Sequence, residues 1–174
     1  MTRPFRIRSL SPGEAGQAAT ALAVVLVDCV WGGASVSFMA DMTLAEAEAF
    51  WREETAADDG RAILVAEDDE GIFGVVQVIP VSTLNQPHRV DVTKLLVHRR
   101  GRRRGAAEAL MAATEDAARA MGRWLLVLDT VTGSPADLLY EKCGWTRAGV
   151  IPDYALWPDG ALCDATFFYK ALDR

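Results

Sequence analysis

The chain has 174 residues, of which 51% are apolar, and its formal net charge is −6 at pH 7. This length fits a single domain with one sizeable core, so we expect residues 1–174 to fold as one unit. The negative charge argues against a general nucleic-acid binder. No apolar leader and no run of about 18 apolar residues stands out, which predicts a cytoplasmic protein with no membrane partner.

The cysteines and histidines argue against a metal site. Cys29, Cys143 and Cys163 are odd in number and far apart, which suits neither a disulfide framework nor a zinc site. His88 and His98 lack the spacing of a ligand pair. We therefore expect no metal.

Apolar periodicity and turn residues predict an alternating order of helices and strands. Thr43 and Glu46 have capping-box spacing, and Gly71 marks a hairpin turn. The predicted strands are 5–10, 62–67, 72–79, 90–97, 124–129, 146–150 and 166–172. The predicted helices are 11–30, 43–55, 105–121 and 134–142. Strand 90–97, the helix after Gly105 and strand 124–129 should form a right-handed parallel crossover.

The connection between strand 90–97 and the following helix carries five arginines within residues 99–104. Free backbone amides in the first turn of a helix bind anions, and the helix dipole adds to that attraction. Gly105 and Ala107 leave the backbone accessible. The pattern predicts a polyphosphate site, with a solvated basic turn or a nucleic-acid patch as the alternatives.

Two motifs on this framework resemble the GNAT superfamily of N-acetyltransferases. Arg102-x-x-Gly105-x-Ala107 resembles the pyrophosphate-binding motif of the family, and residues 136–145 resemble its A-x-x-L-Y-x-x-x-G-W segment. Residues 164–170 resemble its closing strand. The resemblance implies an α/β (α+β) GNAT fold, with a mixed twisted sheet of about seven strands flanked by about four helices. It also implies acetyl-CoA as the acetyl donor.

Four segments further resemble the tabtoxin resistance acetyltransferases, which acetylate an amine of a β-lactam toxin. They are residues 30–41, 93–97, 128–134 and 152–160. This likeness implies a small-molecule primary amine as acceptor. The alternatives are a protein N-terminus, a polyamine or another metabolite amine, and a non-catalytic acyl-CoA sensor. We expect a monomer or a homodimer.

The GNAT resemblance also implies which residues hold the cofactor. The backbone of residues 95–97 should pair with the pantetheine arm, and one amide near Leu96 should bind the thioester oxygen. Arg102 and Arg104 are the predicted phosphate contacts, and Arg103 is predicted to be solvated. A different helix phase would exchange these roles. The full predicted set is Leu95, Leu96, Val97, Arg102, Arg103, Arg104, Gly105, Ala106, Ala107, Thr130, Ser134 and Ala136.

Acetylation requires a base, because a primary ammonium with a pKa of about 10.4 is mostly protonated at neutral pH. Asp91 and Asp129 are the candidates. Strand alternation predicts that Asp91 shares a face with Thr93, Leu95 and Val97. The alternative for Asp91 is an ion pair with Arg89 or Lys94, and the alternative for Asp129 is a cap for the turn at residues 133–134.

The resemblance favours Tyr140 as the general acid that protonates the departing sulfur, although a core aromatic is the alternative role. The predicted acceptor pocket follows from the break in the first long helix, where a cleft should open. Its residues are Gly33, Ala34, Ser35, Phe38 and Tyr154.

Overall fold

The computed structural model describes residues 4–173 and contains seven strands and four α-helices within that range. The strands are β1 Arg6–Ser9, β2 Ala62–Asp68, β3 Gly71–Pro80, β4 Arg89–Val97, β5 Leu125–Val131, β6 Thr146–Leu156 and β7 Leu162–Ala171. The helices are α1 Pro12–Trp31, α2 Leu44–Ala56, α3 Ala106–Ala120 and α4 Pro135–Lys142, with a 3₁₀ turn at Arg99–Gly101. The predicted order of elements is confirmed.

All seven strands form one sheet in the order β1-β2-β3-β4-β5-β7-β6. Only β4 and β5 pair in parallel, and α3 connects them as predicted. The other neighbours pair antiparallel, so the sheet is mixed. This architecture confirms the predicted α/β fold class.

Each face of the sheet supports a separate apolar core. On one face, α1 and α2 pack Leu22, Leu26 and Trp51 against strand residues such as Val65 and Val75. On the other face, α3 and α4 cover a second cluster, which includes Leu110, Met111, Leu126, Tyr140 and Phe168. The sheet therefore separates two apolar layers, each covered by two helices.

Capping residues begin the first two helices. Thr43 accepts a hydrogen bond from the Glu46 amide, and the Glu46 carboxylate accepts from the Thr43 amide, which confirms the predicted capping box. Ser11 and Glu14 form a similar box at α1. The α1 segment Gly13–Trp31 is long and apolar enough to cross a membrane by length and composition, contrary to our expectation. More than half of that segment is buried within the protein, as in core helices.

The parallel strands β4 and β5 separate after three residue pairs, of which Asp91 with Val127 is the last. Their separation coincides with a bulge in β4, where Lys94 has φ of 54° and the register with β3 shifts. The bulge reverses the side-chain alternation, because it adds one residue to β4. The expectation that Asp91 shares a face with Leu95 and Val97 is therefore wrong. Leu96 packs in the α1 and α2 core, whereas Leu95 and Val97 pack towards α3.

The edge strand β6 extends to Leu156, beyond the predicted end at residue 150. Pro152 and Asp153 indicate a loop in the sequence. In the structure a bulge absorbs them, with Asp153 at φ 51°. This hairpin with β7 reaches back to the segment between α1 and α2, since the Ser35 hydroxyl donates to the Leu156 carbonyl at 2.6 Å.

Candidate functional site

The turn before α3 contains backbone amides that the helix itself does not use. Gly105 has φ of 80°, and Arg103 is also left-handed at 60°. The first helical hydrogen bond runs from the Ala109 amide to the Gly105 carbonyl, so the amides before Ala109 in this turn have no intrahelical acceptor. A Cβ placed on Gly105 would meet no atom within 4 Å, which shows that the space above the turn is open. This geometry suits a bound anion.

Two of the arginines turn away from that space and bind Asp68. Arg104 and Arg100 donate to its two carboxylate oxygens at 2.8 and 2.9 Å. The Arg104 guanidinium also lies 4.5 Å from the centre of the Phe73 ring. The predicted phosphate contact by the Arg104 side chain is therefore disfavoured, because that side chain anchors the turn instead. Arg102 and Arg103 are exposed.

A second anchor joins the turn to the end of α1. Asp28 accepts hydrogen bonds from the backbone amide of Arg99, at 2.8 Å, and from its Nε. Gly101 packs so tightly that an added Cβ would lie 2.1 Å from the Phe73 ring. The turn is thus held against α1, β2 and β3 by contacts within the protein itself.

The backbone of β4 next to the bulge faces the gap between the strands. The His98 amide donates to the Phe73 carbonyl of β3, and alternation points the Leu96 amide to β3 as well. The amides of Leu95 and Val97 therefore point towards β5. This geometry favours one of these two as the oxyanion donor, rather than the amide of Leu96 itself. The Val97 carbonyl already accepts from Arg102 Nε at 3.3 Å.

Asp91 and Asp129 lie on the same face of the sheet, because Asp91 is opposite Val127 and Asp129 follows two residues later. Arg89 donates to Asp91 at 2.8 Å, which is the ion pair considered as the alternative. Burial raises the pKa of both carboxyl groups. Arg89 opposes that rise at Asp91, and Lys94 opposes it at Asp129. Asp129 is the better candidate base, since its carboxylate has no arginine partner in the described chain.

The start of α4 explains the polar residues after β5. Ser134 accepts from the Asp137 amide, and Asp137 accepts from the Gly133 amide, so this turn is capped without Asp129. The Thr130 hydroxyl lies 3.4 Å from that of Ser134. Ala136 is half-buried in the first turn of α4. Thr130 thus lies in β5 beyond its last pair with β4, and Ser134 and Ala136 lie at the start of α4. Their contact with the cofactor stays a prediction.

Tyr140 projects from α4 into the core and packs against Trp145 and Phe168, with ring centroids 6.1 and 5.7 Å away. Burial raises the pKa of its phenol, and the charge of Asp129 acts in the same direction. The phenol therefore stays protonated at neutral pH, and the raised pKa makes it a weaker acid than an exposed tyrosine. Its contacts also fit the alternative role of a core aromatic.

The predicted acceptor residues lie on two walls. Phe38 stacks edge-on against Phe50 with centroids 5.0 Å apart, and Ala34 packs against the core beneath. On the opposite wall, Tyr154 packs edge-on against Phe167 at 5.3 Å, and Phe167 is the β7 partner of Asp129.

A cavity of about 480 Å³ lies between the end of α1 and residues 157–159, and neither Phe38 nor Tyr154 lines it. Gly33 lines it together with Trp31 and Trp157. Ser35, which bonds to Leu156, connects the two segments that carry these residues. The structure thus brings the α1–α2 segment and the β6–β7 hairpin together, as a shared acceptor pocket requires.

Sequence reasoning missed Lys94, which it considered only as an ion-pair partner of Asp91. The Lys94 side chain instead crosses to the α1–α2 segment, where its Nζ lies 3.1 Å from the Ser37 hydroxyl. The available signal was a lone lysine in an otherwise apolar stretch of strand. A charged side chain at such a position needs a purpose.

Asp68 yields a test of the anchored turn. Burial disfavours its ionised form, but hydrogen bonds from Arg100 and Arg104 outweigh burial and lower its pKa from 3.8 to about 2. Because the folded pKa is depressed, this stabilisation is present at neutral pH and is lost as pH falls from 3.8 towards 2. Asp68→Asn should lower the free energy of unfolding at pH 7 by about 1–3 kcal/mol.

Urea denaturation at neutral and acidic pH measures this effect, and the acid-induced loss of stability should be smaller in the variant. Asp116→Asn is the control, since that side chain is 84% exposed on α3. Equal losses in the two variants would contradict the anchoring role of Asp68.

Comparison with known proteins identifies the family. Residues 59–147, just over half of the chain, match the model of the acetyltransferase (GNAT) domain. N-acetyltransferase 8 from Homo sapiens is 32% identical over 112 residues, which cover 63% of this chain and 49% of that protein. The chain thus spans about half the length of this curated relative.

Solved structures show the same fold. The structure of yncA from Salmonella typhimurium, assigned as an acetyltransferase and bound to its cofactor acetyl-CoA, has a TM-score of 0.78 at 19% identity, covering 98% of this chain and 95% of that one. Ribosomal-protein-alanine N-acetyltransferase from Brucella melitensis has a TM-score of 0.76 at 22% identity, covering 96% and 99%. The separated parallel strands, the glycine turn before α3 and the match of the family model agree: the chain belongs to the GNAT acetyltransferase family.

Proposed function

We propose that the protein is an acetyl-CoA-dependent N-acetyltransferase that acts on a primary amine of a small molecule. The observation that carries this proposal is the gap between β4 and β5, which opens beside the amides before α3 that the helix itself does not use. Family membership supports the reaction type, and the Salmonella structure supports the choice of acetyl donor.

The turn before α3 would hold the diphosphate of acetyl-CoA. The amides of Gly105 and Ala107 have no intrahelical acceptor, whereas Ala106 is almost fully buried. The helix dipole favours a negative charge at this end of α3. The exposed side chains of Arg102 and Arg103 can add charge-assisted hydrogen bonds. The pantetheine arm would lie along the free edge of β4, which offers amides in the manner of an added strand.

Acetyl transfer then requires three groups from this chain. Asp129 accepts the proton of the acceptor ammonium, directly or through water, so that the neutral amine can attack the thioester carbonyl. The amide of Leu95 or Val97 donates to the carbonyl oxygen as negative charge develops on it. Tyr140 donates its phenolic proton to the sulfur of coenzyme A as the carbon–sulfur bond breaks.

For the acceptor, we propose a toxin or antibiotic amine as the narrower class. The sequence segments that resemble the tabtoxin resistance enzymes support this proposal, because they meet at the acceptor walls. Residues 30–41 contact residues 152–160 through Ser35 with Leu156 and through the Ala40 amide with the Pro158 carbonyl.

The Brucella structure, named for a ribosomal-protein alanine, makes a protein N-terminus the second candidate acceptor. A sensor that holds acyl-CoA without turnover is the third possibility. A thiol-release assay with a panel of amines and N-terminal peptides distinguishes the three. Release of coenzyme A with small amines supports the proposal, release only with peptides supports the second candidate, and binding without release supports the sensor. Cytoplasmic location, and a monomer or homodimer, stay predictions.

The glycine before α3 allows a direct test of cofactor binding. Gly105→Val should weaken acetyl-CoA binding by about 10-fold or more, because a branched side chain blocks the approach of phosphate to the amides. Isothermal calorimetry measures the affinity. Gly122→Val is the matched control, since Gly122 has φ of 67°, has no atom within 4 Å of its added Cβ and lies at the other end of α3. A similar affinity in the two variants would refute the phosphate site.

The proposed base should control the acidic side of the pH profile. Since burial raises the pKa of Asp129, its basic form is lost at a higher pH than for an ordinary aspartate. Asp129→Asn should lower kcat/KM by roughly 10²- to 10⁴-fold and remove this acidic decline. Asp91→Asn should have a smaller effect, because Arg89 already holds that carboxylate. An unchanged profile in the Asp129 variant would transfer the role to Asp91.

The proposed acid is tested by removing one oxygen. Tyr140→Phe keeps the ring packed against Trp145 and Phe168, so the fold should be retained. We expect kcat to fall by about 10- to 1000-fold with little change in acetyl-CoA affinity. Tyr169→Phe, on the exposed face of β7, is the control. If both variants turn over at the wild-type rate, Tyr140 is a core residue.

A further inference from the structure

Lys94 occupies an unusual position in the gap between β4 and β5. It is the bulged residue of β4, and its side chain reaches the segment between α1 and α2. There the Nζ lies 5.6 Å from the centre of the Phe38 ring and 5.7 Å from that of Phe50, and it donates to the Ser37 hydroxyl. The ammonium group is thus held among two aromatic rings and one hydroxyl.

The backbone at both ends of this contact is strained. Lys94 has φ of 54° and Ser37 has φ of 78°. This left-handed region is energetically unfavourable for any residue other than glycine. The described chain contains four such non-glycine residues, and these two contact each other. Strain of this kind persists where surrounding structure imposes it, and it is concentrated at functional sites.

The charges around Lys94 leave it without a close anionic partner. Glu54 binds Arg61 and Gln77, and Asp91 binds Arg89. Among residues 4–173, no carboxylate oxygen lies within 4 Å of the Lys94 Nζ. Burial lowers the pKa of Lys94, while the more distant charges of Glu54 and Asp129 act in the opposite direction. The aromatic rings also favour the charged form.

We propose that Lys94 binds an acidic group of the acceptor, so that the substrate is an amine that also carries a carboxylate or a similar anion. This inference rests on the proposed function and names the substrate class of the same site. Lys94 attracts the acidic group, while Asp129 attracts the ammonium before taking its proton. A zwitterion of the amino-acid type complements both charges at once.

Ser37 supplies a second donor for the same anion. Its oxygen accepts a hydrogen bond from Lys94, which leaves its own hydrogen available. Ser37 is exposed, so an anion can approach it from the cleft. Phe38 and Phe50 keep the ammonium in place and exclude water from one side of it. Desolvation strengthens the attraction between Lys94 and an anion.

Matched pairs of acceptors test this inference. The probes are the standard amino acids, simple aminophosphonates and the α-amides of the same amino acids, with acetyl-CoA and thiol release as the readout. Wild-type kcat/KM should be roughly 10- to 100-fold higher for the acid than for its amide. Lys94→Met keeps most of the length of the side chain and should abolish this preference, whereas Lys94→Arg should retain most of it.

Two controls distinguish loss of the charge at Lys94 from a change in the overall charge of the protein and from misfolding. Lys142→Met removes the same charge from the exposed face of α4 and should leave the preference unchanged. Thermal unfolding confirms that each variant folds. The acceptor class is overturned if amides react as well as acids, or if the preference survives in Lys94→Met. It is also overturned if the protein binds acetyl-CoA but acetylates no acid-bearing amine. In that case cofactor binding stands and only the acceptor class fails. Failure of the wild-type protein to bind acetyl-CoA refutes the proposed function itself.

Discussion

The separation of β4 from β5 is the constraint on which the site depends. Two parallel strands normally satisfy each other's backbone groups, but here the bulge at Lys94 ends the pairing after three residue pairs. The amides of Leu95 and Val97 are left for a ligand instead of a strand. Because α3 begins at the end of the same β4, the helix amides and the strand amides are available to one extended molecule.

The basic turn divides its arginines between structure and ligand. Arg99 binds Asp28, whereas Arg100 and Arg104 both bind Asp68. Removing one partner of such a pair leaves a charge uncompensated, so these contacts fix the turn strongly. Because the amides are already held in place, this turn loses less conformational entropy on binding phosphate than a flexible loop would lose. The cluster that identified the site in the sequence is therefore in large part its scaffold.

Local patterns in the sequence predicted the elements well, since caps, glycine turns and apolar periodicity act over a few residues. The capping box at Thr43 and the crossover through α3 are examples. The sequence could not reveal that Arg104 meets Asp68, 36 residues away, or that Lys94 meets Ser37, 57 residues away. Such contacts depend on the register of the whole sheet. Strand periodicity also could not show the bulge at Lys94, which reverses the side-chain alternation of β4.

Of the four left-handed residues, Ser37 and Lys94 contact each other, Arg103 lies in the turn before α3, and Asp153 lies in the β6 bulge next to Tyr154. Glycine would adopt each of these conformations more easily. Glycine at these positions would relieve the backbone strain, but it would also remove the Ser37, Lys94 and Arg103 side chains that we propose for donor and acceptor binding. At these few residues, a substitution that raises the free energy of unfolding is therefore expected to lower the catalytic rate.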